Sequence, residues 1–395
     1  GLTSTGMNVL LLGPVPTPAV IPVSGNTRAD LGVMISASHN PAEDNGIKFF
    51  DQAGYKVSAE WEESVESRVV GLDRACGAVE TRLLGQVRWR QDLAQAYVSF
   101  LLQSWRASSD LTGYSVLLDC ANGAASDVAP EVFRRMGCQV SVVAGEPDGL
   151  NINRSYEYVH PTRFAKQVTE AGADVGIAFD GDADRVILVD ERGGTVDGGS
   201  IIGILARYLQ TCGALPGDFV VTTPMSNLGL HDSLREVGIR VVETAVGDRH
   251  VMRRMREDGG TLGGERSGHI LVFDRDHTTG DGIYTALRVL EAMVNQGNAK
   301  LSELAALVPH YPQFIESVDV PAAKPPLERL PAVQAALRGL RDALGGDADV
   351  NLRYSGTEDK LRLSVRCHTD SAAEGLRSEA QRTLRRIAEI IVAAA

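Results

Sequence analysis

Two stretches of the chain share one order of elements: an apolar strand, a short polar loop, a helix, and a second strand that begins after a glycine. In the first stretch, residues 115–121 (SVLLDCA) form the strand and residues 125–136 the helix. In the second, the strand is 219–223 (FVVTT) and the helix is 228–236. Strand, helix and strand in this order are typical of a parallel sheet covered by helices. The repeat therefore predicts an α/β protein with more than one domain of the same kind.

The N-terminal residues contain only the end of such a unit. Gly6-Met7-Asn8-Val9 and the LLLG that follows are typical of the glycine and second strand that close each repeat. We infer three similar α/β domains with mixed or parallel sheets, the first without its opening strand and helix. Because the sequence begins Gly-Leu-Thr, we expect an N-terminal segment to be missing, and a lost targeting signal stays open.

The residues after about 309 do not repeat the unit. An Ala/Leu/Arg helix near 332–344 is followed by the strand–loop–strand pattern of 351–366, and a helix with apolar residues at helical spacing covers about 371–394. This order of elements predicts a smaller C-terminal α+β domain. The predicted domains are 1–90, 91–194, 195–309 and 310–395.

Charge and cysteine content exclude several classes of function. The chain has 395 residues and a formal net charge of -12, and no basic cluster interrupts the acidic balance, which argues against a nucleic-acid partner. No apolar run approaches the length of a membrane span. Five widely spaced cysteines without a C-x-x-C pair indicate reduced thiols, not a disulfide framework or a zinc site. We therefore expect a cytoplasmic protein with no membrane partner.

We interpret Val33-Met34-Ile35 as the end of a buried strand. The polar stretch that follows it contains several reactive groups. Ser38, His39 and Asn40 come directly after the strand, and Lys48 lies on the apolar run that follows. A hydroxyl, an imidazole and an ammonium in one tight loop predict a reactive site. The alternative is a simple Asn-Pro turn between two strands.

A second loop carries three carboxylates at alternate positions. The strand 174–179 leads into Asp180, Asp182 and Asp184, followed by Arg185. Such carboxylates repel one another unless a cation neutralises them, and their hard oxygen atoms suit Mg²⁺ or Ca²⁺ better than zinc. An EF-hand is excluded, because its sixth position would be Arg185 instead of glycine and strands flank the loop. A solvated acidic turn remains the alternative.

Two further loops, one in each of the last two domains, combine small and polar residues. In the third domain, Val246-Gly247-Asp248-Arg249 precedes Gly263–His269 (GGERSGH), where glycines let the backbone approach a ligand and Glu and Ser can bind sugar hydroxyls. A Gly-rich turn without a ligand is the alternative. In the fourth domain, Arg353 and Arg362 flank Ser355-Gly356-Thr357, a set that suits an oxyanion. A hairpin with cross-strand charge pairs explains this pattern equally well.

Four motifs, one in each predicted domain, closely resemble those of the α-D-phosphohexomutase family: S-A-S-H-N-P, D-G-D-A-D-R, G-G-E-R-S-G-H and R-Y-S-G-T-E. Any one of them could arise by chance, whereas four in this order over essentially the whole chain form a specific signal. The resemblance implies three topologically similar α/β domains and a smaller fourth domain around a central cleft.

The resemblance also implies a role for each motif residue. Ser38 resembles the serine that carries the transferable phosphoryl group, with the basic residues His39 and Lys48 beside it. The implied Mg²⁺ ligands, for one ion per chain, are the Ser38 phosphate, Asp180, Asp182 and Asp184, and Arg185 would also meet the phosphate. The remaining implied roles are substrate binding by Asp248 and Arg249, sugar binding by Glu265 and Ser267 with His269 nearby, and binding of the distal phosphate by Arg353, Ser355, Gly356, Thr357 and Arg362.

The implied reaction is transfer of a phosphoryl group within a sugar phosphate, with a hexose or hexosamine 1,6-bisphosphate as intermediate and activator. Ser38 would phosphorylate the 1-hydroxyl of a hexose 6-phosphate and then recover the 6-phosphoryl group. Lys48 or His39 would take the proton of the sugar hydroxyl. The residues that bind the distal phosphate must accept the phosphate at either end of the sugar, so we expect the Arg353 loop to lie on a mobile domain.

Within the family, D-N-G-I-K-F-F, P-D-G-L-N-I-N, V-G-D-R and T-T-G-D-G-I are most similar to the branch that acts on glucosamine phosphates and supplies UDP-N-acetylglucosamine for cell-wall synthesis. That branch is often dimeric, so a homodimer is a further expectation. Two positions depart from it. Residues 156–160 replace a C-G-S-T-H segment, and Arg266 stands where Gln or Asn is usual, beside the sugar-binding residues, so we expect it to affect sugar preference.

Two alternatives stay open. The substrate could be a mannose or glucose phosphate instead of a glucosamine phosphate. The family's N-terminal F-G-T-x-G-x-R-G segment, which supplies an arginine near the phosphoserine, is absent. A chain without it would be a sugar-phosphate binder with impaired or no turnover.

Overall fold

The computed structural model describes residues 1–70, 79–154, 161–274, 277–344, 348–355, 359–368 and 373–394. It confirms the α/β class: the first region combines helices with two small sheets, and helices cover mixed sheets in the second and third regions. An antiparallel sheet with two helices forms the C-terminal region. Among the described helices, none combines the length and apolar character needed to cross a lipid bilayer.

The N-terminal region contains two small sheets instead of one. Its elements are β1 (Val9–Leu11), α1 (Val20–Thr27), β2 (Gly32–Ile35), β3 (Ile47–Phe50), α2 (Ala59–Val70) and β4 (Val87–Trp89). β1 pairs in parallel with β4, and β2 pairs antiparallel with β3. The interpretation of residues 33–35 as a buried strand end is wrong, because Ile35 is 67% exposed and its cross-strand partner Ile47 is 62% exposed. The reason is that β2 has only β3 as a neighbour among the described strands.

The second region forms a five-stranded sheet. Its elements are α3 (Ala94–Gln103), β5 (Ser115–Asp119), α4 (Ala125–Arg135), β6 (Gln139–Val143), α5 (Thr162–Ala171), β7 (Val175–Phe179), β8 (Val186–Asp190) and β9 (Thr195–Val196). The strand order is β6-β5-β7-β8-β9, with β5, β6 and β7 parallel and β8 and β9 antiparallel. Every residue of β7 and β8 is buried, as their unbroken apolar sequences predict. β9 lies just beyond the predicted boundary at 194.

The third region repeats the topology of the second. Its elements are α6 (Gly198–Thr211), β10 (Phe219–Thr222), α7 (Leu228–Glu236), β11 (Arg240–Glu243), α8 (Asp248–Asp258), β12 (Leu262–Gly264), β13 (Ile270–Val272), α9 (Gly282–Asn295) and α10 (Leu301–Ala305). The order β11-β10-β12-β13 matches β6-β5-β7-β8, since in each sheet three parallel strands end in one antiparallel hairpin. The acidic loop and the GGERSGH loop therefore occupy equivalent hairpin turns.

The C-terminal region has an apolar core of its own. Its elements are β14 (Gln313–Asp319), α11 (Pro331–Leu344), β15 (Ala348–Tyr354), β16 (Lys360–Cys367) and α12 (Ala373–Ala394). The strands form an antiparallel sheet in the order β14-β16-β15, and α11 and α12 pack on it through their own apolar cluster. By contrast, one continuous core joins α3 and α4 of the second region to α6 and α9 of the third. The second and third regions thus form one packed body, to which the C-terminal region is attached.

Candidate active site

Ser38 lies in the loop after β2, in a conformation that a side chain other than glycine rarely adopts. Its φ is +56°, in the left-handed region, which needs support from surrounding contacts. The side-chain amide of Asn153 supplies that support, donating hydrogen bonds to the backbone carbonyls of Ser38 (2.8 Å) and Asn40 (2.7 Å). Asn153 is buried and comes from the second region of the chain. The serine loop is therefore held against the sheet that carries the aspartates.

The acidic loop joins the buried strands β7 and β8, which fixes its two ends. Asp180, Asp182 and Asp184 are all buried, and one carboxylate oxygen from each lies within 4.8 Å of the others. The hydroxyl of Ser38 donates a hydrogen bond of 2.8 Å to Oδ2 of Asp180. A solvated acidic turn is thus excluded, because the loop is enclosed and directly beside the serine.

Lys48 and Thr17 bring two donors from the N-terminal region to the same cluster. The ammonium group of Lys48 lies 2.5 Å from Oδ2 of Asp182 and 2.9 Å from Oδ2 of Asp184. The Thr17 hydroxyl donates to the same Oδ2 of Asp182 at 2.6 Å. Burial alone would lower the pKa of Lys48, but the two aspartates outweigh burial and raise it.

The three buried carboxylates lie close enough to repel one another, and a cation would reduce that repulsion. Burial, followed by the charges of Asp184 and Asp182, raises the pKa of Asp180 well above its usual range. Burial also raises the pKa of Asp184, but the positive charge of Lys48 and other nearby cations outweighs burial and lowers it. Oδ1 of Asp182 and Oδ1 of Asp184 are buried and accept no hydrogen bond from any described residue. These unsatisfied oxygens are suitable ligands for a hard divalent cation such as Mg²⁺.

Arg185 and His39 complete the basic side of the site. Nε of Arg185 lies 3.9 Å from Oδ2 of Asp180 and 3.8 Å from Oδ1 of Asp184. Burial, and then the charge of Arg185, lower the pKa of His39. Arg185 and the Ser38 hydroxyl thus lie beside the same oxygen, Oδ2 of Asp180.

The GGERSGH loop lies against this cluster. Nε2 of His269, which is buried, lies 3.9 Å from Oδ2 of Asp184 and 3.8 Å from Oδ2 of Asp248. Burial lowers the pKa of His269 despite these two carboxylates. Glu265 accepts a hydrogen bond of 3.0 Å from the backbone N–H of Gly247, whereas Ser267 is exposed. The backbone also connects the two hairpin turns, since Val186 N–H donates to the carbonyl of Gly268 (3.1 Å).

Asp248 and Arg249 begin α8 and form ion pairs with the N-terminal region. Asp248 pairs with Lys56, and Arg249 pairs with Glu62 on α2. Burial raises the pKa of Asp248, but the charge of Lys56 outweighs it and lowers that pKa. Both residues, predicted to bind substrate, thus lie at a contact between the first and third regions. Lys56 and Arg249 also line a pocket of about 240 Å³ that extends to Lys48.

Within the described residues, the side chain of Arg266 contacts Asp197 and Gln313 and not the aspartate cluster. Its guanidinium group donates to Oδ2 of Asp197 (3.0 Å) and to the side-chain carbonyl of Gln313 (3.1 Å). Asp197 caps the N-terminus of α6, and Gln313 begins β14 of the C-terminal region. The side chain therefore ties the loop to the C-terminal region.

In the C-terminal region, Arg353 on β15 lies directly opposite Arg362 on β16. Two like charges at facing positions repel each other unless a negative charge lies nearby. Burial, and then the charge of Arg362, lower the pKa of Arg353, while Glu265 opposes that shift. Arg353 therefore lies close enough to the GGERSGH loop for Glu265 to influence its pKa. Ser355 is buried at the end of β15, and Gly356 and Thr357 lie outside the described residues.

Comparison with known protein families agrees with this arrangement. Four phosphoglucomutase/phosphomannomutase domain profiles match in order: alpha/beta/alpha domain I at 1–74, domain II at 95–194, domain III at 197–311 and the C-terminal domain at 317–382. A phosphoglucosamine mutase from Moorella thermoacetica is 46% identical over 369 residues, which cover 92% of this chain and 81% of that protein. The chain belongs to the α-D-phosphohexomutase family. A phosphoglucosamine mutase from Ruegeria sp. strain TM1040 is 47% identical over 92% of this chain and 80% of its own length.

Solved structures of phosphohexomutases share the fold. A phosphoglucomutase/phosphomannomutase family protein from Burkholderia thailandensis superposes with a TM-score of 0.80 at 22% identity, over 98% of this chain and 84% of its own. An Aspergillus fumigatus N-acetylphosphoglucosamine mutase, solved with GlcNAc-6P and magnesium, gives a TM-score of 0.66 at 20% identity, over 95% of this chain and 92% of its own. At these identities the likeness establishes the phosphohexomutase fold.

Three residues of this phosphohexomutase's site had no role in the sequence-based prediction: Thr17, Lys56 and Asn153. Thr17 lies in the Pro-rich segment 14–22. Its hydroxyl between two prolines was the sequence feature that could have identified it as a site residue. Asn153 belongs to the P-D-G-L-N-I-N motif, which identified the branch of the family without indicating a contact. Lys56 had no local signal, since its partner Asp248 is far along the sequence.

Proposed function

We propose that this phosphohexomutase is a phosphoglucosamine mutase, which interconverts glucosamine 6-phosphate and glucosamine 1-phosphate through a phosphorylated Ser38. The observation that carries phosphoryl transfer through Ser38 is the 2.8 Å contact between its hydroxyl and Asp180 within an enclosed cluster of three carboxylates. The choice of glucosamine phosphates is supported by the relatives named phosphoglucosamine mutase that are 46% and 47% identical. Phosphoryl transfer depends mainly on positioning and charge neutralisation, and this cluster with its flanking cations provides both.

In the first step the phosphoryl group on Ser38 moves to the 1-hydroxyl of glucosamine 6-phosphate. The bond between Oγ of Ser38 and phosphorus breaks, and a bond between phosphorus and the sugar O1 forms. The O1 proton passes to His39, or to Lys48 in a state in which its amine is neutral and no longer paired with Asp182 and Asp184. Arg185 neutralises charge on the transferring phosphoryl oxygens.

In the second step the 1,6-bisphosphate turns over, and its 6-phosphoryl group returns to Ser38. The bond between phosphorus and the sugar O6 breaks, a bond between phosphorus and Oγ of Ser38 forms, and the base that takes the serine proton returns a proton to O6. Glu265 and Ser267 would hold sugar hydroxyls, with His269 beside them. Arg353 and Arg362 would bind whichever phosphate lies away from Ser38. The separate core of the C-terminal region suits this task, because a domain with its own core can move during the reorientation.

The unsatisfied oxygens of Asp182 and Asp184, with Asp180 and the Ser38 phosphate, would hold one Mg²⁺. When bound, the ion supplies Lewis-acid neutralisation of the phosphoserine oxygens. A glucosamine 1,6-bisphosphate would act as activator by phosphorylating Ser38. The proposed protein is cytoplasmic and forms a homodimer. Its reaction supplies a precursor of UDP-N-acetylglucosamine.

The test compares turnover of glucosamine, glucose and mannose 6-phosphates with intact-mass measurement. We expect glucosamine 6-phosphate to give the highest kcat/KM, and a mass increase of one phosphoryl group that maps to Ser38 and is lost in Ser38→Ala. Equal or better turnover of mannose 6-phosphate would assign the chain to phosphomannomutase activity. A chain that binds the sugars but never acquires the label from a hexose bisphosphate would be a binder.

A further inference from the structure

Thr17 occupies a place in the site that none of the four motifs covers. It lies in a short 3-10 helix, Thr17–Ala19, between Pro16 and Pro18, and only 1% of it is exposed. Its backbone N–H donates to the carbonyl of Asp182 (2.9 Å), and its hydroxyl donates to Oδ2 of the same residue (2.6 Å). A single residue of the N-terminal region thus holds both the backbone and the side chain of one aspartate.

The two oxygens of Asp182 have different surroundings. Oδ2 accepts from the Thr17 hydroxyl and from Lys48 (2.5 Å), while Oδ1 is buried and accepts no hydrogen bond from a described residue. Two donors on one oxygen fix the rotation of the carboxylate about its last bond. The fixed rotation leaves Oδ1 as the buried oxygen of Asp182 that accepts no hydrogen bond from a described residue. It does so in a loop where one carboxylate oxygen from each of the three aspartates lies within 4.8 Å of the others.

Lys48 cannot supply this orientation alone. Its ammonium group is shared between Asp182 and Asp184, and it is one of the two candidates that exchange a proton with the sugar. The Thr17 hydroxyl is neutral and enclosed, and it donates its hydrogen bond to Asp182. It can therefore hold the carboxylate throughout the reaction.

We propose that Thr17 is a positioning residue for the divalent cation: its hydroxyl orients Asp182 so that Oδ1 binds the ion. The inference rests on the proposed metal site and extends it to a residue of another domain. Partners that orient ligands in this way typically change metal affinity by roughly 10- to 100-fold when they are removed. The docking of the first region onto the second then completes the metal site.

The experiment measures Mg²⁺ and Mn²⁺ binding to the full chain by calorimetric titration, without sugar. We expect Thr17→Val, which keeps the shape but removes the donor, to raise the Kd for both ions roughly 10- to 100-fold. Thr17→Ser, which restores a hydroxyl, should bind close to the wild-type value. Thr285→Val is the matched control, since Thr285 is another buried threonine, on α9, whose hydroxyl makes no hydrogen bond within the described residues.

Each other result decides against the proposal. Unchanged affinity in Thr17→Val would show that Lys48 suffices, and equally weak binding in Thr17→Ser would assign the effect to packing. A wild-type chain that binds neither ion would remove the metal site itself. Thermal unfolding without metal shows whether Thr17→Val is folded. Because no sugar is present, a failure of glucosamine phosphate turnover leaves the result intact.

Discussion

The side-chain amide of Asn153 and the backbone carbonyl of Ser38 form a hydrogen bond of 2.8 Å across 115 residues of sequence. The same amide nitrogen reaches the carbonyl of Asn40, so both its hydrogens hold the serine loop. The predicted nucleophile thus receives its position from the second region of the chain.

Asn153→Ala should lower kcat roughly 100-fold with little change in KM. A displacement of the nucleophile by about 1 Å can reduce the rate by that factor. Steady-state kinetics and the rate of Ser38 phosphorylation by hexose bisphosphate would check this. Asn151→Ala is the control, since the hydrogen bonds that the structure describes for the Asn151 side chain stay within its own turn, with Asp148 and Glu146. Equal effects of both substitutions would show a general disturbance of the loop instead.

Asp182→Asn should lower turnover by about 10³-fold or more, because loss of one charged ligand removes several kcal/mol of charge stabilisation. Treatment with a chelator should inactivate the wild-type chain, and added Mg²⁺ should restore it. Glu257→Gln on the exposed side of α8 should leave the rate unchanged. Full activity of Asp182→Asn would contradict the assignment of the carboxylates to a metal.

Much of this arrangement could be predicted because the relevant signals are local. The unbroken apolar sequences of β7 and β8 predict buried strands on both sides of the acidic loop, whereas the sequence left open whether its three carboxylates are buried or solvated. The repeated unit likewise predicts the matching strand orders of the second and third sheets. In each case the physical cause lies within about thirty residues of sequence.

The remainder depends on contacts between distant residues, which periodicity does not record. The approach of Ser38 to Asp180 was available only through the family resemblance. The exposure of Ile35 follows from the number of strands beside β2, not from its own sequence. Arg266 adjoins Glu265 in sequence, yet consecutive side chains in a tight turn point in different directions, so adjacency was a poor guide to its contacts.

Arg353→Ala should raise KM for the sugar phosphate roughly 10- to 100-fold, since a charge-assisted hydrogen bond to phosphate contributes about 1.5–3 kcal/mol. The effect on unfolding should be small or favourable, because the substitution removes repulsion with Arg362. Steady-state kinetics and thermal unfolding would measure the two. The control is Arg377→Ala, an exposed arginine of the same region paired with Glu316. Similar KM values for both variants would argue against a phosphate site at the hairpin.

Arg266→Gln tests whether this position selects the sugar. Its guanidinium group contacts Asp197 and Gln313, so the ratio of kcat/KM for glucosamine and mannose 6-phosphates should stay nearly constant. Glu265→Gln, one residue earlier, should change the rates with both sugars by roughly tenfold or more through its predicted hydroxyl contact. A switch of sugar preference in Arg266→Gln alone would restore the expectation from sequence.

Arg366 links the C-terminal region to the third through Glu243, and this link predicts a pH dependence. The buried guanidinium group donates to Glu243 (2.7 Å) and to the carbonyl of Ser226 (3.0 Å). Burial raises the pKa of Glu243, but the neighbouring His231 and Arg366 outweigh burial and lower it from 4.5 to about 2. A carboxylate with a lowered pKa adds stability that is complete above its unfolded pKa and is lost as the pH falls through the folded one.

Glu243→Gln should therefore destabilise the chain by about 1–2 kcal/mol near neutral pH, a value reduced for the partial exposure of this side chain. The difference from the wild type should shrink as the pH falls from about 4.5 toward about 2. Urea unfolding at several pH values, followed by fluorescence, would measure it. Glu257→Gln, an exposed position on α8, is the control and should show little difference at any pH. A constant difference between Glu243→Gln and the wild type over this range would show that the carboxylate's charge does not fasten the C-terminal region.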